Sequence, residues 1–173
     1  MQTPRLLLRR HVPEDAGLLY QNFGTDAAMF RYSGWNPYAT PEMARETVRR
    51  FIDSYADPHF YGWAIEREGR MIGTIGAYDF DPEKNHIEVG FSIERASWGK
   101  GYAAEALRAV LEYLTVREGI ARVTAWCASD NIASKRTLEK AGMRLSEIDV
   151  GVLEVEGQRY DKLDYTYRNQ ESE

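Results

Sequence analysis

The sequence has little of what disulfide-stabilised and metal-binding proteins need. Only one of its 173 residues is a cysteine, Cys127, so no intramolecular disulfide can form. The three histidines, His11, His59 and His86, stand far apart, and none has a companion at metal-ligand spacing. We therefore expect a protein of the reducing cytoplasm that binds no metal.

Long apolar runs and an excess of positive charge are also missing. No stretch approaches ~20 uncharged apolar residues, and arginines interrupt the apolar N-terminus, so neither a signal peptide nor a membrane span is expected. Acidic residues outnumber basic ones by 27 to 22, which gives a formal net charge of −5. Without a basic field to neutralise phosphates, nucleic acid is not an expected partner, and neither is a membrane.

The composition that remains is that of a folded protein. Hydrophobic residues make up 43% of the chain and charged residues 28%, which predicts a packed core. The length fits one domain, spanning 1–173. Within it we expect an N-terminal strand and helical arm at 1–58, a central core at 59–142 and C-terminal strands at 143–168, followed by a frayed polar tail at 169–173.

Local patterns place strands and helices along these segments. Thr40 and Pro41 predict the start of a helix in the arm. Turn residues and alternation predict a three-strand meander. After it we expect a helix at 102–118, a strand at 121–127, a helix at 130–141 and two strands at 144–154 and 158–168. In the last meander strand one face is apolar, while Glu88 and Gly90 share the other, which is available for chemistry.

The strongest local motif is a glycine-bearing turn between that strand and the next helix. Gly99 and Gly101 lack side chains, so the amides around them can approach an anion, and the helix N-terminus favours negative charge. The alternative is that the two glycines only make a sharp strand-to-helix connection and bind no anion. Two nucleotide motifs fail: the P-loop pattern is absent, and Ala104 stands where GxGxxG needs glycine.

The turn resembles the Q/R-x-x-G-x-G/A motif of the GNAT acetyltransferase superfamily, with Gly101 and Ala103 at its last two positions. Trp98 replaces the first residue, and the resulting WGKGYA is similar to the branch of ribosomal-protein N-terminal acetyltransferases. The resemblance implies an α+β fold: a mostly antiparallel sheet of about seven strands, flanked by helices and splayed at the cofactor strand. It also implies that acetyl-CoA binds to Phe91, Ser92, Ile93, Trp98, Gly99, Lys100, Gly101, Tyr102 and Ala103.

A second motif, NIASKRTLEKAGM, lies downstream. Asn131 follows Gly101 by 30 residues, and with Ser134 it resembles the N-x-x-S helix with which this family binds the cofactor. A purely structural N-cap is the alternative. Leu138 occupies the position where many relatives have a tyrosine as proton donor, so the resemblance leaves Ser134 as the candidate donor to the departing sulfur.

Acetyl transfer from a thioester needs a neutral amine and a base, and it needs no covalent nucleophile. Glu88 is the leading base, acting directly or through water; the alternative is that it only pairs with a nearby Arg or Lys. Cys127 lies in an apolar strand and is expected to be a core residue. Glu154 and Glu156 are weaker candidates, on the acceptor side.

The expected acceptor is a primary amine. At pH 7 an α-amine of pKa ~7.8 is roughly 14% neutral, but a lysine near 10.4 only about 0.04%, which favours a protein N-terminus. Tyr32, Trp35 and Glu154 are predicted to contact the acceptor. A small-molecule amine, or a CoA-binding sensor without catalysis, remains an alternative, and the chain is expected to be a monomer or a homodimer.

Overall fold

The computed structural model describes residues 1–168, and the predicted frayed tail lies outside them. Its centre is one seven-stranded sheet in the order β1-β2-β3-β4-β5-β7-β6. The strands are β1 Leu7–Arg9, β2 Tyr61–Arg67, β3 Arg70–Asp81, β4 His86–Ile93, β5 Arg122–Ala128, β6 Arg144–Val155 and β7 Gln158–Tyr167. Strands from all three predicted segments therefore join one sheet.

Helices cover both faces of the sheet. Adjacent residues of a strand point to opposite faces, so they pack against different helices. The helices are α1 Asp15–Leu19, α2 Pro41–Ser54, α3 Tyr102–Glu112 and α4 Ile132–Lys140. Ile65 belongs to the core that α3 and α4 cover. Its neighbour Ala64 belongs to a second core, formed with α1 and α2. The predicted α+β class, with helices flanking a mostly antiparallel sheet, is confirmed.

The sheet divides between β4 and β5, which form its parallel pair. Their pairing covers Glu88 opposite Thr124 and the two preceding positions, but β4 continues to Ile93 and β5 to Ala128. Beyond Glu88 the strands diverge, as predicted for a splayed cofactor strand. Helices α3 and α4 follow the separated ends of β4 and β5, and ligands of such folds bind beyond the carboxyl ends of parallel strands.

Most element boundaries follow the local signals. The Thr40 hydroxyl accepts the Met43 amide at 3.2 Å and caps α2, as its position before Pro41 predicts. Helix α3 is shorter than the predicted range 102–118, because it ends at Glu112. Both α1 and α3 continue for one wider, π-helical turn, to Gly24 and to Arg117.

Candidate active site

The glycine-bearing turn connects β4 to α3 with an open helix end. Gly99 and Gly101 have φ angles of 74° and 80°, in the left-handed region that favours glycine. Gly101 is the N-cap, and no side chain caps α3. The amides that begin α3 are therefore available to an oxygen ligand, which fits the pyrophosphate of a cofactor.

Side chains near this turn serve its shape. The Trp98 indole donates to the carbonyl of Ile93 at 2.6 Å, and the Lys100 ammonium donates to the carbonyl of Ala96 at 2.9 Å. The Tyr102 ring is buried, with the guanidinium of Arg5 4.7 Å from its centroid. A contact from Tyr102 to a cofactor would therefore come from its backbone.

A clamp from the N-terminus, which no local sequence pattern indicates, holds the turn. The carboxylate of Glu105, on the first turn of α3, accepts from the Arg5 side chain at 2.6 Å, the Arg5 amide at 2.9 Å and the Thr3 hydroxyl at 2.7 Å. Arg5 also donates to the carbonyl of Lys100 at 3.0 Å. Burial opposes ionisation of Glu105, but these donors keep its pKa below its usual value.

The second motif, which begins at Asn131, forms the start of α4 beside the separated strands. The Asn131 side chain accepts the Ser134 amide at 3.2 Å, so Asn131 is an N-cap, as one of the two interpretations required. The hydroxyl of Ser134 is hydrogen-bonded to no other residue within 1–168 and is partly exposed. It remains a candidate donor to a bound ligand. Leu138 is buried in the core.

Glu88 lies where β4 and β5 separate, between two aromatic donors. The Tyr78 hydroxyl and the Trp126 indole each donate to Oε1 of Glu88 at 3.1 Å. Within the described residues no Arg or Lys pairs with Glu88, and Oε2 accepts no hydrogen bond. Burial and the charge of Glu88 raise the pKa of Tyr78, so its phenol stays protonated at neutral pH.

Tyr78 and Trp126 are functional candidates that the sequence analysis missed. Tyr78 stands opposite Glu88 on β3, and its hydroxyl lies 3.0 Å from where a Cβ on Gly90 would be. The glycine two residues after Glu88 is the signal that could have indicated a close neighbour. By contrast, Cys127 is buried as expected, and burial raises its pKa to about 11.

The predicted cofactor residues of β4 follow Glu88 along the separated strand. Phe91 and Ser92 are partly exposed and Ile93 is buried, and all three pair with β3 on the other side. Their edge toward β5 is unpaired beyond Glu88. From Glu88 to Ile93 the strand spans about 17 Å, at ~3.3 Å per residue, so an extended ligand anchored at the turn could run back along it to Glu88.

The predicted acceptor residues gather where the arm meets the β6–β7 hairpin. The Tyr32 hydroxyl donates to the carbonyl of Asp130 at 3.1 Å, and its ring packs edge-on against Tyr160 at 5.5 Å. Trp35 is 62% exposed. Glu154 is paired with Arg159 at 3.8 Å on β6, also exposed. Tyr32 and Glu154 therefore both lie at the β6–β7 hairpin, and Trp35 adjoins it through Gly34, whose added Cβ would lie 4.0 Å from Val155. None of the three takes part in the hydrogen bonds of Glu88.

Within residues 1–168, no group of three or more His, Cys, Asp or Glu side chains is placed to hold a metal ion. Over the same residues, no helix is long and apolar enough to cross a membrane.

The family model for the acetyltransferase (GNAT) domain matches residues 5–144, from the N-terminal clamp through both helix starts. The chain belongs to the GNAT acetyltransferase family. The resemblance inferred from the glycine turn and the Asn131 helix is thereby confirmed, and so is the prediction that the protein is an N-acetyltransferase.

Individual relatives agree with this assignment. The uncharacterized N-acetyltransferase YoaA of Bacillus subtilis is 31% identical over 146 residues, which cover 83% of this chain and 82% of YoaA. Among solved structures, the ribosomal L7/L12 α-N-protein acetyltransferase RimL in complex with coenzyme A has a TM-score of 0.87 at 20% identity, covering 96% and 95% of the two chains.

A second solved structure has a different biological role. The microcin C7 self-immunity acetyltransferase MccE, in complex with acetyl-CoA and AMP, has a TM-score of 0.86 at 16% identity, covering 96% and 93% of the two chains. These two likenesses show the fold, and the family match supports acetyl-CoA as the acetyl donor of this GNAT enzyme.

Proposed function

We propose that this enzyme acetylates the N-terminal α-amine of a protein or peptide, with acetyl-CoA as donor. The observation that carries the proposal is the position of Glu88, fixed through Oε1 by Tyr78 and Trp126 where β4 and β5 separate. An α-amine requires little help to become neutral at pH 7, unlike a lysine. A single carboxylate, acting directly or through one water, suits that task.

In this proposal the turn and the separated strand hold the donor. Acetyl-CoA supplies its acetyl group as a thioester. The amides around Gly101 bind the pyrophosphate, and the unpaired edge of β4 directs the remaining arm toward Glu88. Trp98 and Arg5 support the turn through the carbonyls of Ile93 and Lys100.

The chemistry needs two proton movements. The amine nitrogen forms the new bond to the acetyl carbon while the carbon–sulfur bond breaks. Oε2 of Glu88 takes the proton released by the amine. The departing sulfur receives a hydrogen bond or a proton from the hydroxyl of Ser134, while the phenol of Tyr78 keeps its proton and its hydrogen bond to Oε1 of Glu88.

The test is a release assay for free thiol with acetyl-CoA and peptides that have a free or a blocked N-terminus, beside lysine-containing and small amines. Free N-termini should be acetylated fastest. Glu88→Gln, Ser134→Ala and Tyr78→Phe should each lower kcat on the order of 10- to 100-fold and leave acetyl-CoA affinity nearly unchanged.

Opposite results have distinct meanings. Turnover by all three variants at the rate of the unaltered enzyme would remove these residues from the mechanism. Faster acetylation of polyamines or lysine side chains than of peptide N-termini would refute the proposed acceptor. Binding of acetyl-CoA without any acetylated product would instead support the alternative of a CoA sensor.

A further inference from the structure

A cavity of about 200 Å³ lies on the face of the sheet that α2 covers. Its floor is a row of three glycines on neighbouring strands, because Gly62 pairs with Gly76 and Gly76 pairs with Gly90. No side chain rises from this floor. A Cβ on Gly62 would lie 2.9 Å from the Phe60 ring, and one on Gly90 would lie 3.0 Å from the Tyr78 hydroxyl, so the space depends on the absence of side chains.

The walls of the cavity are aromatic and carry no formal charge from an acidic side chain, a lysine or an arginine. Phe51 and Phe60 stack at 6.4 Å between centroids, and Tyr78 lines the cavity beside Gly90 of β4. The polar side chains that face it, besides the Tyr78 hydroxyl, are those of His11 and Thr74, which hydrogen-bond to each other at 3.1 Å. A charged guest would find no ionic partner here and would lose its hydration, whereas an apolar guest would gain.

The position of the cavity relates it to the acceptor rather than to the donor. Tyr78 lines it and also donates to Glu88, so the cavity adjoins the candidate base. Its lining comes from β2, β3, β4, α2 and the segments before α1 and β2, and none of it from β5, α3 or α4. The split in which the donor is proposed to lie is bordered by β5, on the opposite side of β4.

We infer that this cavity binds an uncharged, apolar side chain on the carbon that bears the acceptor amine, with the amine directed to Glu88. The inference rests on the proposed function and names a substrate class within it: amines with a branched aliphatic or aromatic side chain. The volume is sufficient, since an apolar cavity of ~150 Å³ in a protein can bind benzene.

The first experiment compares four acceptors that share one α-amine, the amides of glycine, leucine, phenylalanine and lysine. For leucinamide and phenylalaninamide, kcat/KM should exceed that for glycinamide and lysinamide on the order of 10- to 100-fold. This ratio corresponds to the free energy gained when an apolar side chain moves from water into the cavity. Equal values for all four would overturn the inference and leave acetyl transfer to amines intact. No acetylated product from any amine would overturn the proposed function and the inference with it.

The second experiment changes the floor. The φ angle of Gly76 is outside the left-handed region, so alanine is compatible with its backbone, and its Cβ would lie 3.0 Å from the carbonyl of Tyr61. Gly76→Ala should reduce the preference for phenylalaninamide over glycinamide about tenfold or more. Gly17→Ala is the matched control, because no atom lies within 4 Å of the added Cβ, and it should keep the preference.

A third variant and a donor series complete the test. Phe60→Ala enlarges the cavity and should shift preference from leucinamide toward phenylalaninamide, which keeps the inference testable if Gly76→Ala does not fold. Unchanged preference in both folded variants would refute it. If Gly76→Ala changed the choice among acetyl-, propionyl- and butyryl-CoA but not the choice among amines, the cavity would belong to the acyl chain and the inference would be wrong.

Discussion

The clamp between Arg5 and Glu105 should contribute both to the stability of the fold and to cofactor affinity. Glu105→Ala removes the acceptor of three hydrogen bonds, from the Thr3 hydroxyl and from the amide and side chain of Arg5. The Glu105 side chain is 11% exposed, so water does not replace these bonds readily, whereas Arg5 is 47% exposed. The loss falls on the first turn of α3, where the amides proposed to bind the pyrophosphate lie.

The expected magnitude follows from this geometry. Three hydrogen bonds at about 1 kcal/mol each, with the Arg5 pair discounted for its exposure, amount to about 2 to 3 kcal/mol of unfolding free energy. For a chain of this length, that corresponds to a Tm lower by about 4 to 12 °C. Because Arg5 also holds the Lys100 carbonyl, acetyl-CoA affinity should fall by about tenfold.

Thermal melts and calorimetric titration with acetyl-CoA would measure both effects. The control is Glu46→Ala, which removes an exposed ion pair with Arg49 on α2 and should change Tm little. Since the pKa of Glu105 is lowered in the folded protein, its contribution is present above ~pH 4.3 and is lost as the pH falls through the folded pKa. The Tm difference should therefore shrink in acid. A Glu105→Ala variant that melts and binds like the unaltered protein would refute the clamp.

Two other predictions concern the turn and the cysteine. Gly101→Val should reduce acetyl-CoA affinity more than tenfold in a titration, because the left-handed φ of 80° and the close approach to the ligand both exclude a side chain. Gly157→Val is the control for backbone strain, because Gly157 has a φ of 78° in the β6–β7 turn. This variant should bind acetyl-CoA normally. Burial raises the pKa of Cys127 to about 11, so about 0.1% of it should be thiolate at pH 8. Mass spectrometry should therefore show that Cys127 resists iodoacetamide in the native protein. Rapid labelling with intact activity would contradict its burial.

Sequence patterns were sufficient where local interactions decide structure. The start of α2 follows from a Thr–Pro pair, because a cap bond joins residues three apart. The glycine-bearing turn between β4 and α3 was predicted in the same way, and Gly99 and Gly101 adopt the left-handed backbone there, which favours glycine. The cap of α4 at Asn131 is a third case.

Local patterns also predicted Glu88, but not what surrounds it. Alternation along β4 put Glu88 on the polar face of the strand that precedes the glycine turn, two residues from Gly90, and this position made it the leading base. Its partners Tyr78 and Trp126 come from the two neighbouring strands, β3 and β5. Which residues stand beside Glu88 depends on strand order and register, and neither is encoded in the spacing of any one segment.

The sequence by itself predicted most of the elements, the glycine-bearing turn and the family, because these rest on local patterns and on the spacing of motifs along the chain. Only the tertiary structure decided the clamp of Arg5 on Glu105, 100 residues away, and the glycine row at 62, 76 and 90. Such contacts arise when strands and helices far apart in the chain pack together. For the same physical reason, motifs predicted the residues proposed to bind the donor, whereas the cavity proposed for the acceptor depends on the register of three strands.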